Sequence, residues 1–134
     1  MGIQEWKALF AVIGGGIGWF FGGFDSLFYL LVVFVTVDYV TGLMCAGVSH
    51  SLSSARGMKG ILKKVLIFLL VGLGHGVDLL LVDHGAPVRT AVIFFYLSNE
   101  GISVLENAAM MGLPIPQRLQ NLLLQLGKEG EDHE

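Results

Sequence analysis

Apolar positions gather into four runs, at residues 8–24, 27–48, 65–82 and 88–111, each broken by only a few polar side chains. A hydrocarbon layer about 30 Å thick needs roughly 20 apolar helical residues to cross it, so each run approaches a membrane span. The first is the shortest, and it carries Gly14, Gly15, Gly16, Gly18, Gly22 and Gly23. Glycine weakens a helix in water. In lipid the backbone must satisfy its own hydrogen bonds, which favours a helix despite the glycines. Residues 24–26 make so short a link that the first two runs are expected to form an antiparallel hairpin. Residues 49–64 read as a polar loop holding Arg56, Lys59, Lys63 and Lys64, and residues 83–87 as a tight turn with Gly85 and Pro87 as breakers. Past Gly112, Pro114 and Pro116 end the fourth helix. Leu119, Leu122, Leu123 and Leu126 then recur at the spacing of a short amphipathic helix, which Gly127 is expected to end before a disordered acidic tail. The expected fold is all-α. Four transmembrane helices occupy residues 1–112, and a cytoplasmic amphipathic helix and tail occupy residues 113–134.

The polar residues inside the fourth run are ordered. Arg89, Tyr96, Asn99, Glu100, Ser103, Glu106 and Asn107 recur at helical spacings and form one stripe, while Val92, Phe94, Phe95, Ile102 and Leu105 lie opposite. A carboxylate in hydrocarbon is disfavoured by about 2.5–3.5 kcal/mol on insertion scales, so such a stripe must face protein, water or a partner. The second run places Asp38, Thr41, Gly42, Cys45 and Ser49 on one stripe, and Asp38 either lines a water path or bonds to a neighbouring helix. In the third run His75 and Asp78 are helical neighbours, with Asp78 expected near the outer interface. Basic partners for Asp38, Asp78, Glu100 and Glu106 are missing within the membrane on this reading, so assembly is expected to shield these acids. Gly14, Gly18 and Gly22 in the first run, and Gly72 and Gly76 in the third, give small-residue faces where helices can approach closely.

Catalytic and metal chemistry find little support. Glu100 and Glu106 are separated by about 9 Å along a helix axis, too far to act as one acid–base pair. There is no nucleophile elbow, phosphate loop or metal-ligand spacing, so no cofactor and no enzymatic activity are expected. A lipid-kinase-like membrane enzyme is disfavoured for the same reason.

Composition supports the membrane reading. Hydrophobic residues make up 54% and charged residues 14% of the 134, a balance unsuited to a soluble domain. The net charge of −3 comes mostly from the end of the chain, and no basic patch points to nucleic acid. Cys45 alone excludes an internal disulfide, and residues 1–7 lack the basic start and cleavage site of a signal peptide. With four spans, Lys7, Arg56, Lys59, Lys63, Lys64, Arg118 and Lys128 fall on one side and Arg89 alone on the other, so both termini are expected in the cytoplasm. The Arg56–Lys64 stretch would then rest on anionic lipid at about 1 kcal/mol per basic residue.

Three blocks carry a resemblance. Asp38-Tyr39-Val40-Thr41-Gly42 resembles the D-x-x-x-G opening of a phage lysis holin family that includes toxin-secretion holins of clostridia. Gly57-x-x-Gly60-Ile61-x-Lys63-Lys64 resembles its basic loop. Asn99 to Asn107, followed by Gly112-Leu113-Pro114-Ile115-Pro116, resembles its most recognisable block. The resemblance implies a small protein that accumulates in the bacterial inner membrane, self-associates and permeabilises it. An endolysin or a toxin then leaves the cytoplasm without binding tightly to it. A small homo-oligomeric ion channel or transporter is the alternative from another class.

Overall fold

The structure, a computed structural model, describes residues 1–132. Its elements are helices α1 (Ile3–Phe21), α2 (Ser26–Val48), α3 (Ser54–Leu81), α4 (Pro87–Met110) and α5 (Gln117–Asp132). Of these, α2 and α3 are long and apolar enough to cross a membrane by length and composition.

Local chemistry sets the ends. Gly22 stops α1 by adopting φ 84°, a left-handed conformation that disfavours any Cβ. Asp25 opens α2 by accepting a hydrogen bond from the Phe28 N–H at 2.8 Å. Ser53 does the same for α3, accepting from the Arg56 N–H at 3.1 Å. That cap changes the expected boundary. Residues 54–64 are the first three turns of α3, because Ser53 satisfies an open N–H and the helix contains no proline. Gly112, at φ 92°, and the prolines after it turn the chain out of α4.

Helix α4 is the hub, packing on α2, α3 and α5, whereas α1 rests on α3 and, contrary to the expected hairpin, does not pack along α2. Phe28, Leu31 and Val35 of α2, Ile67 and Val71 of α3, and Ile93 and Leu97 of α4 form the core. Phe21, Phe24 and Phe68 extend it around Phe28, with centroids 4.9–5.7 Å from that ring. Outside this core the surface is apolar on every long helix: Phe10 is 67% exposed, Tyr29 69%, Leu80 82% and Phe95 52%. A protein in water rarely shows so continuous an apolar perimeter.

The last helix departs from expectation. Gly127 does not end α5, which continues to Asp132 and lies antiparallel along α4. Both glycines of α5 face α4: a Cβ on Gly127 would lie 3.0 Å from the Ser98 Oγ, and one on Gly130 would lie 2.9 Å from the Ala91 oxygen. Close packing offsets the roughly 1 kcal/mol per residue by which glycine disfavours a helix. Of the expected acidic tail, Glu129 and Glu131 are helical, and His133 and Glu134 lie outside the described residues.

Candidate functional site: two ionic clamps in the bundle

The first clamp joins three helices at mid-length. Lys64 of α3 places its Nζ 2.7 Å from Asp38 Oδ2 on α2 and 2.6 Å from Glu100 Oε2 on α4. All three side chains are 9–16% exposed. Asn107 donates to Asp38 Oδ1 at 3.2 Å and to the Thr41 hydroxyl at 2.9 Å, while that hydroxyl donates to the Val37 carbonyl at 2.8 Å. The Cys45 thiol donates to the Asn107 carbonyl at 3.3 Å. Gly57 and Gly60 let α3 approach the Tyr39 ring, and the Tyr39 hydroxyl reaches the Gly57 carbonyl at 3.4 Å. Beside the clamp is a cavity of about 280 Å³ bordered by Asp38, Tyr39, Arg56, Lys64, Ser103 and Asn107.

The second clamp lies at the end of the bundle that holds the two turns at residues 22–25 and 82–86. Arg89 is 3% exposed and uses its guanidinium fully. Nη1 and Nη2 donate to the two Asp25 oxygens at 2.8 and 3.1 Å, a bidentate pair, and Nε donates to the Phe21 carbonyl at 2.6 Å. Nη2 also reaches the Gly23 carbonyl at 3.1 Å. Asp78 of α3 accepts from the Val88 and Arg89 N–H groups, both at 2.9 Å, and so caps the start of α4 from another helix. Gly74 makes that approach possible, since a Cβ there would lie 3.2 Å from the Arg89 Cα. The hydrogen bond from Arg89 holds the Asp25 carboxyl below its ordinary range, against the opposing effect of burial.

Several sequence expectations change here. Asp38, Glu100, Ser103 and Asn107 do converge, but Asn99 and Glu106 are exposed, because the stripe is wider than the face that α2 and α3 cover. His75 sets its ring edge-on to Trp19, with centroids 6.5 Å apart, while Asp78 turns to the α4 backbone. Gly72 seats the Phe20 ring and Gly18 seats Phe24, whereas Gly14 and Gly76 touch nothing within 4 Å. Arg56, Lys59 and Lys63 are exposed on a helix rather than in a loop, and Lys64 is drawn inward. Asp38 and Glu100 therefore have a basic partner within one chain, contrary to the expectation that such partners are missing. The clue to Lys64 was its position seven residues after Gly57 and four after Gly60, on the face those glycines press against α2. Among the described residues, no group of three or more His, Cys, Asp or Glu could hold a metal.

An all-helical bundle with an apolar perimeter and charged groups locked inside defines a membrane-protein architecture. The chain belongs to the bacteriophage holin family, whose profile matches residues 15–128. An uncharacterized protein of Listeria monocytogenes is 47% identical, with 93% of this chain and 91% of the relative covered. A 14.9 kDa protein of Clostridium perfringens is 40% identical over 83% of this chain and 84% of its own length. A probable holin of Bacillus phage phi105 is 33% identical over 65% of this chain and 64% of its own length. No solved structure matches. Membership in a membrane-permeabilising family is consistent with a protein that is not an enzyme.

Proposed function

We propose that this chain is a working holin: it inserts in the bacterial inner membrane through α1–α4 with both termini cytoplasmic, self-associates, and opens the membrane to an endolysin or a toxin. Family membership across residues 15–128 carries the reading. The physical arrangement supports it. A 28-residue helix is about 42 Å long, more than the roughly 30 Å of hydrocarbon, so α3 can cross and still project Arg56, Lys59 and Lys63 toward anionic headgroups. The clamps bury Lys64, Asp38, Glu100 and Arg89 against protein, with the Asp25 carboxylate half exposed at the end of the bundle, which lets α4 lie in lipid despite Arg89 and Glu100. Since these charges are satisfied within one chain, self-association rests on the exposed apolar faces and on the open glycine surface at Gly14–Gly16.

Expressing the chain in bacteria while following membrane potential, viability and release of a folded cytoplasmic enzyme tests this directly. Loss of potential together with release of the enzyme is the expected result. Selective ion flux in viable cells, with the enzyme retained, would instead identify a channel.

A further inference from the structure

Helix α5 presents a contradiction between its packing and its outer face. Its inner face meets α4 in a regular antiparallel seam: Leu123 fills the space above Gly101, Gly127 lies on Ser98, and Gly130 lies on Ala91 and Phe94. The α4 positions recur at three and four residues, and the α5 positions do likewise, as in a close helix pair. The seam carries the end of α5 toward the Arg89 end of the bundle, opposite the end at which α4 stops. Its outer face shows Arg118, Asn121, Gln125, Lys128, Glu129 and Glu131. Where α4 is surrounded by lipid, Arg118, Gln125, Lys128, Glu129 and Glu131 would have to stand in hydrocarbon, which a bilayer strongly disfavours. An amphipathic helix of this kind is favoured instead at the membrane surface, with its leucines down and its charges up.

We propose that α5 is a removable strap over an association surface on α4, a reading that rests on the proposed holin function. Seated, α5 covers the shallow notch formed by Ala91, Ser98 and Gly101. Lifted to the bilayer surface, it leaves that notch to a membrane-spanning helix of a second copy of this chain. Two features specify that occupant. The notch takes α5 at close range because α5 brings Gly127 and Gly130 to it, so the occupant must bring glycines of its own, and α1 of a second copy offers Gly14, Gly15 and Gly16 with nothing of its own chain within 4 Å. Residues 8–21 of α1 carry no charge, so that helix can take the place of α5 in lipid without stranding one. The strap thus makes assembly conditional on its own release.

A disulfide across the seam provides the test. A Cβ on Gly127 would lie 3.2 Å from the Ser98 Cβ, close to the spacing a disulfide needs. In a Cys45→Ser background, Ser98→Cys with Gly127→Cys is expressed in bacteria and oxidised with a membrane-permeant reagent, and the bond is verified by peptide mass. The oxidised protein should reach the membrane at the normal level yet release less than a tenth of the reporter enzyme, and chemical crosslinking should capture few multimers. Adding a reductant should restore release and the multimer ladder. A second variant, Gly127→Leu, should unseat α5 and advance release. Normal release or normal multimers from the crosslinked protein overturn the strap, as does failure of the pair to crosslink in membranes under any condition. If the reduced double-cysteine protein and the wild type both fail to release the reporter, the holin reading itself is lost, a result distinct from failure of the strap.

Discussion

Lys64 and Glu100 meet at 2.6 Å although they lie on different helices 36 residues apart, and the same ammonium holds Asp38 at 2.7 Å. With all three groups ionised the cluster carries one surplus negative charge, which the Asn107 amide helps to accommodate by donating to Asp38. Removing one member of a buried ionic group strands the rest, whereas replacing the whole group is often neutral.

Lys64→Met should therefore destabilise the protein by about 3–5 kcal/mol, as judged from detergent-solubilised melting and from the amount found in membranes. The triple change Lys64→Met, Asp38→Asn and Glu100→Gln should recover most of that loss. Equal damage in the single and triple variants would show that the clamp does not act as a unit.

Glu100→Gln should leave insertion intact and shift the time at which the membrane opens, because it keeps shape and some hydrogen bonding while removing charge. Glu100→Leu should disturb timing more, since it also removes the side-chain oxygen that accepts from the Lys64 ammonium. Phe95→Glu places a new acid on the exposed apolar side of α4 and should instead reduce accumulation. Lysis timing, normalised to membrane protein level, separates the two classes. Normal timing in both Glu100 variants would remove the clamp from the mechanism.

Arg89→Lys should loosen the turn between α1 and α2, because a single ammonium cannot reproduce the bidentate contact with Asp25 together with the bonds to the Phe21 and Gly23 carbonyls. Asp25 has its folded-state pKa depressed by this contact. Its contribution to stability is thus fully present above the unfolded value of about 3.9 and fades as pH falls through the lower folded value. Thermal melting in detergent between about pH 3 and 6 should show that acid-side loss in the wild type. The loss should be smaller in Asp25→Asn, and an unchanged profile in that variant would assign the acid sensitivity elsewhere.

Gly14→Leu should weaken self-association while sparing the fold, since nothing lies within 4 Å of that position. Gly18→Leu should damage the monomer first, because Phe24 occupies the space a side chain there would need. Light scattering in mild detergent, compared with melting, distinguishes a lost interface from a lost fold.

Periplasm-dependent reporters fused to either end should stay silent if both termini are cytoplasmic. A signal from the N-terminal fusion alone would mean that α1 does not span and that the crossing helices number three.

Much of the architecture was legible along the chain because it depends on local chemistry. Apolar run length set the number of long helices, the Gly112–Pro116 stretch set the end of α4, and the polar stripe on α4 foretold that Glu100 and Asn107 would seek protein. Gly22 read as a packing glycine within the first run, yet it is the left-handed residue that stops α1. Local pattern does not contain the identity of the distant group that answers a buried charge. Lys64 read as loop because its neighbours are basic, yet a Ser53 cap made it helical and glycines at 57 and 60 brought it against α2. Glu106 and Asn99 shared the stripe with Glu100 but fell outside the arc that α2 and α3 cover. Gly127 read as a stop because glycine disfavours helix in isolation, and contact with Ser98 carried the helix past it. Periodicity along one helix determines which residues share a face; only the packing of α2, α3, α4 and α5 decided what that face would meet.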